Sequence, residues 1–121
     1  MTHVDSVYLF ANADFSGRLC RTNLASNTAF RGFGGPQAMF ATETALLHLA
    51  EECGLDVDAL REKNLYSEGD CTPFGMHLRQ CNIRRCWEEC LSLADYEERK
   101  GKVAEFNASS TYRKRGIYGG F

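Results

Sequence analysis

Apolar side chains recur at helical spacing along most of the chain and predict four helical segments. From Gln37 to Cys53 no helix breaker interrupts the apolar residues, which predicts a helix of about four to five turns. Gly54 supplies the C-terminal stop of that helix. Asp56 is a good N-cap for a second, shorter helix that continues through Lys63.

Two further helices are predicted in the second half of the chain. Asn82 is placed to cap the third, which carries a single apolar stripe at i, i+3, i+4, i+7 and i+8: Ile83, Cys86, Trp87, Cys90 and Leu91. Asp95 with Glu98 three residues later is the start signature of the fourth, whose apolar side contains Tyr96, Val103 and Phe106. Gly101 predicts a kink or an early end in that helix.

Shorter segments have the composition of strands and turns. Val4–Phe10 is rich in β-branched and aromatic residues, residues 17–22 alternate polar with apolar side chains, and residues 111–121 are compatible with a third strand. Turn-forming residues predict a loop from Tyr66 to Pro73. The pattern as a whole predicts an α+β fold with N-terminal strands, a glycine-rich loop and then mainly helices.

Composition limits the classes of function. The 121 residues are 44% hydrophobic, which suits one small domain with a modest core. A net charge of −2 gives no electrostatic basis for binding nucleic acid or an anionic membrane. No apolar run has the length of a membrane span, and the first residues lack the regions of a signal peptide. We therefore expect a cytoplasmic protein with no nucleic-acid or membrane partner.

Six cysteines raise the question of disulfides or a metal cluster. Without a signal peptide, reduced thiols are the better interpretation. Cys81, Cys86 and Cys90 come near a plant-type iron–sulfur spacing but miss it by one residue. A helix through this region would place Cys86 and Cys90 on one buried face, so no metal ligand is predicted in this chain.

The most unusual stretch is the segment from Asn27 to Gln37, in which three glycines fall within four positions. Pro36 suits the first position of the long helix, and a helix start with a glycine-rich approach offers free N–H groups to an anion or an oxygen-rich group. The spacing is that of neither a dinucleotide fingerprint nor a P-loop. Two interpretations remain open: a plain turn with Phe30 and Phe33 in the core, or a ligand-contacting loop.

Other candidate groups have simpler explanations. Glu68 and Asp70 could be proposed as paired acid–base carboxylates, but nothing in the pattern would separate their pKa values, and a solvated turn is favoured. His48, alone among apolar neighbours, is interpreted as a packing residue. The basic run at residues 113–115 is typical of a solvated strand edge.

Residues 22–37 in particular resemble the molybdenum-cofactor domain of the xanthine dehydrogenase family of molybdenum hydroxylases. The resemblance is carried by Thr22-Asn23-Leu24 and by Ser26-Asn27-Thr28-Ala29-Phe30-Arg31-Gly32-Phe33-Gly34-Gly35-Pro36-Gln37. Shorter matches follow in register over nearly the whole chain and fade after Gly116: Cys53-Gly54-Leu55, Lys63-Asn64-Leu65-Tyr66, Glu68-Gly69-Asp70, Arg85-Cys86-Trp87, Glu89-Cys90, Phe106-Asn107 and Lys114-Arg115-Gly116. Aldehyde oxidases form the sister family, but they tend to carry a bulky residue where Gly35 stands.

The resemblance implies oxidation of purines such as hypoxanthine and xanthine with oxygen derived from water, at a molybdenum–molybdopterin centre. It also implies two 2Fe-2S clusters and FAD outside this chain, and a homodimer for the full-length family. Arg31, Phe30 and Gly32 would contact the cofactor, and Phe33 and Ala29 would contact the substrate. A phenyl face beside a flat purine is worth about 1 kcal/mol, and loop N–H groups can hydrogen-bond oxygens.

The same resemblance implies that parts of the enzyme lie elsewhere. The general-base glutamate of the family falls downstream of the matched region, so no catalytic residue is assigned here. We expect residues 1–121 to be part of a single cofactor-binding domain, a fragment that depends on the rest of its parent polypeptide and is inactive alone. The alternatives are a stand-alone, non-catalytic binding module derived from this fold and an aldehyde oxidase fragment.

Overall fold

The computed structural model describes residues 3–121, which form four α-helices joined by loops. The helices are α1 (Gly35–Cys53), α2 (Val57–Asn64), α3 (Ile83–Leu93) and α4 (Tyr96–Ser109). All four predicted helices are therefore present, and α4 continues to Ser109, three residues beyond Phe106. Helix α1 packs on α2, and α3 packs on α4.

The ends of α1 follow from its flanking residues. Pro36 occupies the first turn, and Gly34 at the N-cap has a left-handed φ of 84°. Gly54 at the C-cap is also left-handed, and its N–H donates to the carbonyls of Ala50 and Glu51. The predicted stop at Gly54 is thus confirmed.

Only one face of α1 is covered by the described chain. Leu46 and Ala50 are buried, whereas Phe40 is 74% exposed and Leu49 is also exposed. The expectation that the apolar residues of this helix fill a core is therefore only partly correct. With four short helices, the chain has too little material to surround a helix that is apolar on several sides.

Helix α2 begins as predicted. The Asp56 carboxylate accepts hydrogen bonds from the backbone N–H groups of Asp58 and Ala59, at 3.0 Å each. These bonds satisfy two of the donors that every helix start leaves free.

Helix α3 corrects the prediction for the cysteines. Trp87 is buried, but Cys86 and Cys90 are exposed. Ile83, Trp87 and Leu91 of the predicted stripe pack on the core, whereas the two cysteines lie at its exposed margin, because the core is too small to cover the whole stripe. Asn82 stands at the N-cap without a side-chain capping bond.

Helix α4 runs without interruption through Gly101 to Ser109, so the predicted early end does not occur. Asp95 occupies its N-cap in a left-handed conformation and makes no side-chain capping bond. At the other end, the Lys114 ammonium donates to the carbonyls of Asn107 and Ser110. A cation at a helix C-terminus is favourable, which explains part of the basic run as helix capping.

The predicted strands are not formed among residues 3–121. Residues 3–7 form a turn that ends in a single antiparallel bridge between Tyr8 and Leu65, and residues 17–22 and 111–121 have no strand pairing. A strand needs a continuous partner, and the neighbours available here are helices. Turns occupy the predicted loop from Tyr66 to Pro73, which ends in a small hairpin bridged between Cys71 and His77.

The core lies where the N-terminal turn, the helices and the C-terminal residues meet. Its buried members are Tyr8, Leu46, Leu65 and Trp87. Phe121 covers them: its ring lies 5.2 Å from Trp87 and 6.3 Å from Tyr8, edge-on to the latter. The last residue of the chain is thus part of the core packing.

Candidate functional site

The glycine-rich segment forms a tight, left-handed approach to α1. Three consecutive residues have positive φ: Gly32 at 92°, Phe33 at 49° and Gly34 at 84°. Of the three, only Phe33 carries a side chain. A positive φ at a residue with a side chain strains the backbone by about 1–3 kcal/mol. Two turn hydrogen bonds stabilise this conformation. The Phe33 N–H donates to the carbonyl of Phe30, and the Gly35 N–H donates to the carbonyl of Gly32.

This conformation leaves main-chain donors available. Within residues 3–121, the N–H groups of Arg31, Gly32 and Gly34 take part in no hydrogen bond. The Ala38 N–H, in contrast, donates to the Gly34 carbonyl. Successive N–H groups beside a helix N-terminus attract an anion or an oxygen-rich group. The loop can therefore bind such a group through its backbone.

The aromatic rings of the loop face solvent. Phe30 is 80% exposed and Phe33 is 82% exposed, and Ala29, Arg31 and Gly32 are exposed beside them. Of the two interpretations of the sequence, the one that places both rings in the core is wrong for the described chain. The structure brings all five predicted site residues together on one short, accessible loop.

Gly32 is required by close approach as well as by its conformation. A Cβ atom at this position would lie 2.8 Å from Cδ of Pro36, which is closer than a carbon contact allows. The loop therefore folds directly against the first turn of α1. This contact fixes the direction in which the free N–H groups point.

A shallow apolar groove of about 550 Å³ begins at the foot of the loop. Its walls come from α1 and from the C-terminal residues: Pro36, Met39, Phe40, Glu43, Leu47, Tyr118 and Phe121 are among them. Pro36, which follows the loop in the first turn of α1, forms one wall of this groove. An apolar surface of this kind suits a flat ligand or another segment of protein.

One wall of the groove belongs to a largely buried cluster of charged and phenolic groups that the sequence did not reveal. Glu43 accepts hydrogen bonds from Arg61 Nε at 2.8 Å, from the Tyr118 hydroxyl at 2.7 Å and from the Tyr8 hydroxyl. Arg61 also contacts Asp58 at 3.0 Å and lies over the Tyr118 ring, 4.6 Å from its centre. The sequence did contain one indication of this cluster. Glu43 lies three residues before Leu46 and seven before Ala50, a spacing that places it on the buried face of α1.

The cluster perturbs the titration of its members. Burial, followed by the hydrogen bond to Glu43, raises the pKa of Tyr8 well above its usual range. Burial lowers the pKa of Arg61, but the contacts with Glu43 outweigh it, and the net pKa is raised. All carboxylate oxygens of Glu43 are occupied by donors, so this buried glutamate is not a free general base.

The remaining candidates do not form a second catalytic centre. Asp70 is used within its own turn, where it accepts from the Ser67 N–H at 2.7 Å. Across residues 3–121, no three histidine, cysteine or acidic side chains are grouped to hold a metal ion. In that part of the chain, no helix is both long and apolar enough to cross a bilayer. What the site can do is bind and orient.

Comparison with known proteins extends this description. The family described as the molybdopterin cofactor-binding domain matches residues 1–65, which include the loop and all of α1 and α2. Xanthine dehydrogenase/oxidase of Gallus gallus is 47% identical over 97% of this chain, and that of Mus musculus is 45% identical over 95%. The aldehyde oxidase of Homo sapiens is 43% identical over 94% of the chain.

These relatives are much longer proteins. The chain spans about 9% of the length of the two xanthine dehydrogenase/oxidase relatives and 8% of the aldehyde oxidase. Their similarity therefore concerns one region of a large protein, and that region contains the loop described above.

Proposed function

This chain belongs to the molybdopterin cofactor-binding domain family, and we propose from that premise that it supplies one wall of the cofactor and substrate site of a molybdenum hydroxylase. The reaction proposed is the oxidation of purines such as hypoxanthine and xanthine. The observation that carries the proposal is the accessible loop from Ala29 to Gly34, with its free N–H groups and its two exposed rings.

The residues of the loop fit such a group. The N–H groups of Arg31 and Gly32 present hydrogen-bond donors without loss of side-chain entropy, and the close contact of Gly32 with Pro36 holds them in place. Phe30 lies beside them and would pack against the edge of the cofactor. When bound, the molybdenum–pterin group supplies the two-electron oxidation and the oxygen transfer.

The second role proposed for the loop is to orient the substrate. Phe33 and Ala29 would contact the flat heterocycle, and a phenyl contact of this kind contributes about 1 kcal/mol. Correct orientation of a reactant contributes more to the rate than that contact energy alone suggests. The left-handed φ of Phe33 sets the direction of its Cα–Cβ bond, and the ring is exposed to solvent.

We assign no general base for the reaction among residues 3–121. Glu43 is saturated with donors, and the resemblance places the catalytic glutamate in another region of the family. We therefore propose that residues 1–121 act together with further polypeptide, with FAD and 2Fe-2S clusters in other regions, in a homodimeric cytoplasmic enzyme. The isolated chain should not turn over hypoxanthine.

A chimera tests the proposal. The matching segment of the Gallus gallus xanthine dehydrogenase/oxidase is replaced by this chain, and hypoxanthine oxidation is measured. We expect activity to be retained, and Phe33→Ala to lower kcat/KM by about tenfold or more with the protein still folded. Leu24→Ala, which removes another exposed apolar side chain upstream of the loop, is the matched control and should leave kcat/KM within about twofold.

Two results would contradict the proposal. Full activity in the Phe33→Ala chimera would remove the ring from substrate orientation. Turnover of hypoxanthine by the purified 121-residue chain would show that the site is complete without other segments. A chimera that prefers aldehydes to purines would support the aldehyde oxidase alternative, for which the 43% identity is the supporting observation.

A further inference from the structure

A second hollow, of about 360 Å³, shares Met39 with the apolar groove but contains none of residues 29–34 of the glycine-rich loop. It is enclosed by the N-terminal turn, the first turns of α1, the small hairpin after α2 and the beginning of α3. Most of its lining is apolar and comes from Met39, Phe74, Met76, Leu78 and Ile83. A hollow of this size with apolar walls suits a small molecule.

One end of this hollow is polar and contains an unpartnered hydroxyl group. Ser6 Oγ is buried, and among residues 3–121 it has no hydrogen-bond partner. Ser6 also has a positive φ of 51°, although it is not glycine. Buried polar groups are nearly always paired, and strained backbone concentrates at binding sites, so both features call for a ligand here.

The same end contains a buried carboxylate without a cation. Asp5 is 6% exposed, and the group that binds it is the Tyr66 hydroxyl, which donates at 2.8 Å. Within the described chain no lysine or arginine forms an ion pair with Asp5, whereas the buried Glu43 pairs with Arg61, and the buried Asp58 pairs with both Arg61 and Lys100. Buried charges are normally paired, because an isolated charge is costly in a low dielectric.

The surroundings add negative charge to this end. Burial raises the pKa of the Tyr66 hydroxyl, the hydrogen bond to Asp5 and the charge of Asp5 raise it further, and the charge of Asp70 adds a smaller increase. The phenol therefore stays protonated as a donor to Asp5. His3, at the rim, is the other titratable side chain of the lining.

We propose that this hollow binds a small organic cation, with a primary ammonium head and a flat or aliphatic apolar body. The ammonium group donates to the Asp5 carboxylate and to Ser6 Oγ, and the apolar body lies against Met39, Met76 and Ile83. A carboxylate head would be repelled by Asp5, and a neutral alcohol would leave that charge unpaired. The lining of this hollow contains none of the loop residues 29–34, and the proposal does not depend on the proposed purine site.

The test uses the 121-residue chain and three probes of nearly equal shape: benzylamine, benzyl alcohol and benzoate. Binding is followed by NMR of ¹³C-labelled methionine methyl groups, since Met39 and Met76 line the hollow. Met39 also lines the apolar groove, so the Met76 methyl group is the specific reporter. We expect benzylamine to shift the Met76 methyl signal in a saturable way and to bind about tenfold or more tightly than benzyl alcohol. Benzoate should not bind.

Two variants separate binding from folding. Asp5→Asn keeps an acceptor for Tyr66 but removes the charge, and should weaken benzylamine binding about tenfold or more. Ser6→Gly relieves the positive φ and removes the hydroxyl, so it should raise the midpoint of thermal unfolding while weakening benzylamine binding about threefold or more. Asp14→Asn, on an exposed residue, is the control and should bind like the original chain.

Several results would overturn the proposal. Among them are no saturable methyl shift with benzylamine, equal affinity for benzylamine and benzyl alcohol, and unchanged affinity in Asp5→Asn. The amide spectrum shows whether Asp5→Asn folds. If it does not, Ser6→Gly provides the test. A stabilised Ser6→Gly protein with unchanged affinity for benzylamine would refute the role of the hydroxyl. None of these results bears on the glycine-rich loop.

Discussion

Arg61 Nε lies 2.8 Å from Oε2 of Glu43, and both side chains are withdrawn from solvent. The pair joins α2 to α1, the helix whose first turn carries the glycine-rich loop. The hydroxyls of Tyr8 and Tyr118 donate hydrogen bonds to the same carboxylate. These bonds connect the N-terminal and C-terminal segments to α1. The orientation of the loop therefore depends on a charge cluster about two turns into α1.

Replacing Arg61 with leucine should destabilise the fold by about 3–5 kcal/mol. The substitution leaves Glu43 as a buried carboxylate without a cation, whereas Asp58 still pairs with Lys100 at 2.9 Å. The cost of the uncompensated charge on Glu43 exceeds any gain from the leucine. The free energy of unfolding, measured in urea, gives the size of the loss.

The matched control is Arg85→Leu. Arg85 pairs with Glu89 at 3.7 Å, but both side chains are about two-thirds exposed. Exposed ion pairs contribute little, so the control should change the free energy of unfolding by less than about 1 kcal/mol. Equal losses in the two variants would show that the Arg61 cluster does not stabilise the fold.

Gly32→Ala should destabilise the chain by about 1–3 kcal/mol and disturb the loop. The new methyl group meets Pro36, and φ at this position is 92°. Amide NMR signals of residues 29–38 should shift, while those of α4 should not. The measurement combines urea unfolding with an amide spectrum.

Gly101→Ala should change stability in the opposite direction to Gly32→Ala. Gly101 lies within α4, and a Cβ there meets no atom within 4 Å. Because glycine is a poor helix former, this change should stabilise the fold by about 0.5–1 kcal/mol. If both alanine variants changed stability in the same direction, the conformational argument for Gly32 would be wrong.

The helices could be predicted from sequence because their signals are local. Asp56 caps α2 through its own side chain, and Gly54 ends α1 by its own conformation, so neighbours in sequence suffice. The strands could not, since Val4–Phe10 has strand composition but finds only one bridging partner, Leu65. Strand formation depends on partners that composition does not reveal.

The site shows the same division. The glycine spacing and Pro36 predicted a loop that leads into a helix, and the structure confirms that geometry. The charge cluster could not be predicted, because Glu43 and Arg61 are 18 residues apart and meet only when α1 packs on α2. Whether the loop binds molybdopterin stays a prediction, supported by family membership.

Phe121→Ala should expose Trp87 and destabilise the fold by about 1–3 kcal/mol. The Phe121 ring covers the buried indole at 5.2 Å, and no other tryptophan contributes to the emission. We expect a red shift of tryptophan fluorescence in the folded state. Tyr112→Ala is the control, as this ring is 97% exposed, and it should leave the emission unchanged. An unshifted spectrum in Phe121→Ala would contradict the packing role of the last residue.

Asp56→Asn should lower the free energy of unfolding at neutral pH, and this difference from wild type should disappear in acid. The N–H of Ala59, then Lys100, holds the pKa of Asp56 below its ordinary value of 3.8. A lowered pKa stabilises the folded state above the unfolded value, and this contribution disappears as pH falls through the folded value. Asparagine still caps the helix but cannot pair with Lys100.

The difference between wild type and Asp56→Asn should therefore shrink as pH falls from about 5 to about 2. Because the Asp56 side chain is half exposed, the difference at pH 7 should stay below about 1 kcal/mol. Urea unfolding at several pH values measures it. A difference independent of pH would show that the charge of Asp56 contributes nothing.

Alkaline pH should unfold the chain partly through Tyr8. Burial and the hydrogen bond to Glu43 raise the pKa of this phenol, so the folded state keeps the proton after the unfolded state, with a pKa of about 10, has released it. The stabilisation is complete below pH 10 and is lost as pH rises from there towards the folded value. For one such group the loss is about 1.4 kcal/mol per pH unit.

Tyr8→Phe isolates this contribution from the other groups with raised pKa values, among them Tyr66 and Lys100. The variant should be less stable at pH 8, because Glu43 loses a donor, but its free energy of unfolding should fall less steeply between pH 10 and pH 11 than that of the wild type. Urea unfolding at each pH gives the slopes, and absorbance near 295 nm follows tyrosinate formation. Identical slopes would mean that Tyr8 ionises as readily in the folded chain as in the unfolded one, and that the buried contact with Glu43 does not hold its proton.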